Sequence, residues 1–344
     1  MRHTQTFTLS LLLVLAAITS TAFAADPGIP FPQSSEISDQ KPGSILFYNF
    51  YTSGAGFSDS HDTRINITNT NSALKTIVHL FFVDGATCSV ADSFLCLTAN
   101  QTASFLTSDL DPGISGYIIA VALEESGCPH SFNFLIGDAY FKSEVNILTA
   151  APKAAVIRRR AGNLAAEACA AKYGSPLFGC DPNSPTTAIP FDRSPTGYDL
   201  LPSVLAVSNI PSRADGNSTL LILNRIGGNL TTSSSAIGSI FGILYDDQEN
   251  SSSFTFISGA CQVQASLSNT FPRTIPRLDQ IIPPGRSGWM KLWAPSDAGL
   301  LGAVINFNPN ADADENSFIG AQNLHKLRFT SSVTLIVPIV PPSC

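Results

Sequence analysis

Polar and apolar residues alternate along TRINITNTN, where Arg64, Asn66 and Thr68 separate Ile65 and Ile67. This is the two-residue period of a strand with one buried face. SILFYNFYT, SFLCLTANQTASFLTS, SGYIIAVAL and HSFNFLIGDAYF surround it, with Gly, Pro, Ser and Thr between the apolar runs, the rhythm of short strands joined by turns. TIVHLFFVDG is apolar almost throughout, as expected of a strand near the middle of a sandwich. The pattern predicts an all-β protein with one exception. AAVIRRRAGNLAAEACAAKYG, residues 154–174, is rich in alanine and ends on Gly174, which predicts a helix. Its Arg158, Arg159 and Arg160 then form one solvated turn.

The chain also resembles itself. AVALEESGCPHSFNFLIG (residues 120–137) and AVINFNPNADADENSFIG (residues 303–320) have equal length, and the same offset sets Pro112 on Pro295, Gly116 on Gly299 and Gly137 on Gly320. Earlier segments match at other offsets, with Asp84 on Asp246 and Asn69 on Asn224. The change of offset predicts an insertion within about residues 257–284 of the second copy. The expectation is two tandem immunoglobulin-like β-sandwich domains from an internal duplication. They would span residues 43–145 and 201–344, with a helical and Pro-rich linker at 146–200 between them.

Residues 1–24 read as a signal peptide: a polar head at Arg2 and His3, the apolar LSLLLVLAAI, and the small-residue site Ala22-Phe23-Ala24. A flexible tail over 25–42 is expected to follow. No later run is long enough to span a membrane, so a secreted, periplasmic or extracellular protein is expected. The 19 basic and 26 acidic residues leave a net charge of −7 with no basic stripe, which argues against a nucleic-acid partner. Seven cysteines in an exported chain predict disulfides with one thiol left over. Proximity in sequence suggests Cys88–Cys96, Cys169–Cys180 and Cys261–Cys344, leaving Cys128 free.

Candidate chemistry is sparse. Asn310, Asp312, Asp314 and Asn316 put an oxygen ligand at every second position, with Glu315 among them. Such spacing suits calcium, but the sixth position is Glu315 where an EF-hand needs Gly, and the twelfth is Ala321 where it needs Glu. A solvated hairpin tip is the expectation, with a weak calcium site at Asn310, Asp312, Asp314 and Glu315 as the alternative and no other cofactor. Asp59, His61 and Asp62 share a loop, and Cys128 neighbours His130, but neither pair of features has the orienting group that catalysis requires.

Trp289 and Trp293, with Lys291 between them, would form a platform for stacking sugar rings if they faced outward. At the constant offset they fall on Leu106 and Leu110, so the expectation is that they face the core. Arg273, Arg277 and Arg286, in or beside the insertion, are the best candidates for a partner contact. These features favour an exported, non-enzymatic module that binds a glycan or a cell-surface protein. The alternatives are a secreted hydrolase or calcium-dependent enzyme using acidic loops, and a structural envelope component.

Overall fold

Strands account for nearly all the regular structure. In the first half they are β1 (Ile45–Thr52), β2 (Asp62–Asn69), β3 (Thr76–Asp84), β4 (Val90–Leu97) and β5 (Thr102–Leu106), then β6 (Ser115–Leu123), β7 (Leu135–Ile147), β8 (Val156–Ala165) and β9 (Glu167–Cys169). After β10 (Thr186–Phe191) come β11 (Pro202–Pro211), β12 (Ser218–Ile226), β13 (Gly228–Asn229), β14 (Ser233–Ser234), β15 (Gly238–Asp246) and β16 (Ser251–Ser258). The chain continues through β17 (Gln262–Ser266), the short helix α1 (Leu278–Ile281), β18 (Ser287–Trp293), β19 (Gly299–Phe307), β20 (Ile319–Asn323), β21 (His325–Phe329) and β22 (Val333–Pro338). The computed structural model describes residues 36–54, 62–147, 156–172, 179–308 and 319–342. The leader at 1–24, Asp59, His61, Cys344 and the ladder of Asn310, Asp312, Asp314 and Glu315 lie outside the described residues.

The strands form five sheets. Sheet I has the order β4-β3-β6-β1-β9 and sheet II the order β5-β2-β7-β8; sheet III runs β16-β15-β18-β11-β21 and sheet IV β17-β12-β19-β20. Sheet V, β10-β22-β13-β14, joins segments from both sides of the second half. In an immunoglobulin sandwich the first strand lies beside the second. Here β1 lies between β6 and β9, so the neighbours differ from the immunoglobulin order.

Sheets I and III have the same succession of strands, and so do sheets II and IV. The ladders agree in detail as well. β1 pairs with β6 through Tyr48↔Ile118 and, after a bulge, Tyr51↔Gly116; β11 pairs with β18 through Val207↔Met290 and, after a bulge, Ile210↔Gly288. Both glycines answer the same crowding. A Cβ on Gly116 would lie 1.8 Å from the Val83 carbonyl oxygen, and one on Gly288 would lie 2.5 Å from that of Tyr245. Asp84 faces Gly116 and Asp246 faces Gly288. Gly116 thus corresponds to Gly288 rather than to Gly299, and β6 to β18 rather than to β19. The constant offset slipped by one strand because β6 and β19 are both apolar on both faces and read alike.

That double burial has a physical source. Leu46, Tyr48, Val78, Leu80, Phe82 and Ile118 pack against sheet II. From the opposite face of sheet I, Ile45, Phe47, Phe81, Val83, Tyr117 and Ile119 pack with Ile189, Phe191, Leu335 and Val337 of sheet V. A strand covered on both sides reads as a continuous apolar run, which accounts for TIVHLFFV. Each side chain so buried contributes about 1.5–3 kcal/mol.

The described residues of the expected helix at 154–174, residues 156–172, are not helical. They pair instead as β8 along β7, from Asp138↔Ala165 to Ile147↔Val156, and as β9 along β1. Leu164, Ala166, Ala168 and Ala170 are buried, and so are Glu167, Cys169 and Ala171, so cross-strand packing overrides the helix propensity of alanine. β8 also meets sheet IV: Phe50, Phe141 and Leu164 pack on Ile222, Ala303 and Ile305. Beside this contact Asn49 Nδ2 donates to Glu167 Oε2 at 2.6 Å and to Asn323 Oδ1 at 2.9 Å, while Asn224 Nδ2 donates to the Asn49 carbonyl at 2.9 Å. Lys326 ion-pairs with Glu167 and opposes the burial that pushes the Glu167 carboxyl above its ordinary range.

The disulfides correct the expected connectivity. Cys88 is bonded to Cys261, 173 residues away, and Cys128 to Cys180. Cys96 is also disulfide-bonded, so Cys88–Cys96 and Cys169–Cys180 do not form and Cys261 does not reach Cys344. The free thiol is Cys169, which is buried. Pairing by nearness in sequence fails because the turn after β3 and the start of β17 are neighbours only in space: the Cys261 and Gln262 amides both donate to the Gly85 carbonyl at 3.0 Å.

Candidate functional site

Sheet III has one face on sheet IV and one that, among the described residues, no other sheet covers. The inward positions of β15 and β18 are Ile240, Leu244, Met290 and Leu292, each fully buried. Phe241, Ile243, Tyr245, Trp289, Lys291 and Trp293 occupy the alternate positions and are only half-buried. The two tryptophans therefore face outward, against the expectation that they line the core. In the observed register Trp289 corresponds to Tyr117 and Trp293 to Val121, so Leu106 and Leu110 are not their counterparts.

Strand pairing sets these side chains in rows. The first runs Thr255, Phe241, Trp293, Val204, Arg328 across all five strands of the sheet. Beside it runs Ser253, Ile243, Lys291, Ala206, His325, and beyond that Ser251, Tyr245, Trp289. Tyr245 stacks on Trp289 with centroids 4.4 Å apart and planes 9° from parallel, and Phe241 meets Trp293 at 4.8 Å. Lys291 Nζ lies 5.4 Å from the Tyr245 ring centroid and 5.5 Å from that of Trp289, within the range of cation–π attraction. Among the described residues no carboxylate forms an ion pair with Lys291 or Arg328.

At the Trp293 end the face opens into a groove of about 610 Å³ lined by Val204, Trp293, Asp297, Arg328, Phe329 and Ser331, among others. The backbone N–H of Ser331 donates to Asp297 Oδ2 at 2.8 Å, and its hydroxyl to the same oxygen at 2.5 Å. The groove's lining therefore includes a carboxylate held by Ser331 and a guanidinium with no ion pair among the described residues. Flat rings, hydroxyls on β16 and cations at the centre and edge can hold a ligand that has both apolar faces and polar substituents. Nothing in the arrangement pairs a nucleophile with a base.

The outer face of sheet II carries a second groove, about 550 Å³, lined by Asp62, Arg64, Asn66, Asp138, Tyr140 and Lys142, with others. Several of its polar groups are engaged with neighbours: Asn66 Nδ2 donates to Asp138 at 3.1 Å, and Ser104 Oγ to Asn66 at 2.6 Å. Asp62 accepts from the Ser108 hydroxyl at 2.6 Å and from Thr107 at 3.0 Å, holding the turn after β5. Cys128 is in a disulfide, and His130 Nδ1 lies 3.1 Å from Glu124 Oε1.

The three arginines do not join the aromatic face. Arg273 and Arg277 are exposed in the segment between β17 and β18. Arg286, just before β18, is engaged by Asp247 at 2.5 Å. Sequence reasoning undervalued Lys291, the more telling signal: a lysine between two tryptophans at strand spacing marks an outward face, because a buried unpaired ammonium is costly. Arg328 and Val204 had no signal at all, since only strand pairing brings them beside Trp293.

No protein-family model matches this chain, and no curated protein or solved structure matches it significantly.

Proposed function

We propose that the protein is an exported, non-enzymatic module that binds a glycan on the open face of sheet III. The observation that carries this reading is the set of half-buried rings Phe241, Tyr245, Trp289 and Trp293 on a face that no other sheet of the described residues covers. Aromatic rings offer large apolar area with little side-chain entropy to lose, and tryptophan is enriched among residues that dominate binding. Two disulfides support an oxidising compartment. Among the described residues no helix is long and apolar enough to cross a membrane.

We also read the two halves as copies from an internal duplication, supported by the shared strand succession and by the bulges that end at Gly116 and Gly288. In this reading residues 146–200 are a shared part of the body rather than a linker. The test is calorimetric titration of the mature chain with the oligosaccharides that it retains on a glycan array. Trp289→Ala and Trp293→Ala should each weaken binding by about 2 kcal/mol, some thirtyfold. Unchanged affinity in both variants refutes the assignment to this face.

A further inference from the structure

We propose that the glycan is anionic and that its carboxylate, that of a uronic acid residue, is held by Arg328 while its rings stack on the aromatic rows. The inference rests on the proposed glycan-binding reading of the same face and adds the chemical class of the ligand. Its basis is the row Phe241, Trp293, Val204, Arg328. With strands about 4.8 Å apart, Arg328 stands roughly 10 Å from Trp293, about the reach of two sugar rings. The groove between them is continuous and is lined by both residues.

Charge supports the assignment. The chain as a whole is acidic, with a net charge of −7, yet this face carries Lys291 at its centre and Arg328 at its edge, neither in an ion pair with a described residue. Asp297, the carboxylate among the groove's lining residues, has its Oδ2 held by the backbone N–H and hydroxyl of Ser331. A guanidinium presents parallel N–H donors that match a planar carboxylate in two hydrogen bonds. Lys291 serves differently. Its ammonium lies over Tyr245 and Trp289, where it adds a positive charge without a fixed geometry. A sulfate ester also offers two oxygens to the fork, so a sulfated sugar is the competing anion that the experiment must separate from the uronate.

The experiment titrates the full mature chain with three probes: a hexameric oligogalacturonate, its fully methyl-esterified form, and a sulfated galactan oligosaccharide without uronate. The expected result is at least tenfold tighter binding of the free acid than of the ester. Arg328→Gln should abolish that preference, and Lys291→Gln should reduce it in part. Melting curves establish that each variant is folded. Equal affinity for acid and ester, an undiminished preference in Arg328→Gln, or preference for the sulfated galactan each overturns the uronate inference while the glycan-binding reading stands. Binding of none of the probes, together with no effect of Trp289→Ala on any array ligand, overturns both.

Discussion

The outer face of sheet III and the corresponding face of sheet I are built on one ladder and end in opposite surroundings. Tyr117, Ile119 and Val121 of β6 occupy the positions of Trp289, Lys291 and Trp293 of β18. The first three are buried beneath β10 and β22 of sheet V; the second three are half-exposed. The strands alone do not decide which face meets water. Coverage does, and it comes from segments far away in sequence: residues 186–191 and 333–338 pair with each other over sheet I and leave sheet III open. The lysine at the central position is compatible with only one of these environments.

Exchanging the central residues is the strongest way to break this comparison. Ile119→Lys places an ammonium where no partner awaits it and should cost about 4 kcal/mol in urea denaturation. Lys291→Ile should change stability by less than about 0.5 kcal/mol. Comparable losses at the two sites contradict the claim that one face is covered and the other open.

A smaller effect is expected from the link between the halves. Cys88–Cys261 closes a loop of 173 residues, and the double change Cys88→Ser with Cys261→Ser should lower the unfolding free energy by about 3 kcal/mol. A loss below about 1 kcal/mol shows that the neighbouring hydrogen bonds to Gly85 hold the contact without it.

The smallest effect concerns pH. His79 lies on the covered face, where the rings of Phe81 and Phe94 flank it at 4.0 and 4.1 Å. Burial lowers its pKa from 6.5, with Asp92 opposing the shift. The unfolded chain therefore takes up the proton first, so stability should fall as pH drops below 6.5, toward the lowered folded-state value. His79→Phe should flatten that part of the profile in melting temperatures between pH 8 and pH 5. An unchanged slope in the variant assigns the pH dependence to another group.

The sequence showed strands more readily than their partners. Ile65 and Ile67 are fully buried and Arg64 is exposed, as the alternation predicts, and the continuous run at β3 is buried on both faces as its composition suggests. The helix expected at 154–174 failed because small alanines fit between packed strands as well as on a helix, and local propensity cannot tell the two apart. The register of the repeat failed by one strand for a related reason: β6 and β19 are both doubly buried and share a Gly and an Ala-Val pair at equal spacing. That slip then turned Trp289 and Trp293 toward the core. The face itself was half legible, in the Trp-Met-Lys-Leu-Trp spacing of β18; its other members, Phe241, Tyr245, Val204 and Arg328, are brought there by pairing that no local pattern specifies.

Trp289 and Trp293 are the chain's only two tryptophans, so the central claim has a direct optical readout. Titrating the mature protein with an array-selected oligosaccharide while recording tryptophan emission should give a saturable change with the same midpoint as calorimetry, and bound ligand should protect the emission from iodide quenching. Calorimetric saturation by the glycan with no change in tryptophan emission or quenching contradicts the account and places the binding site elsewhere.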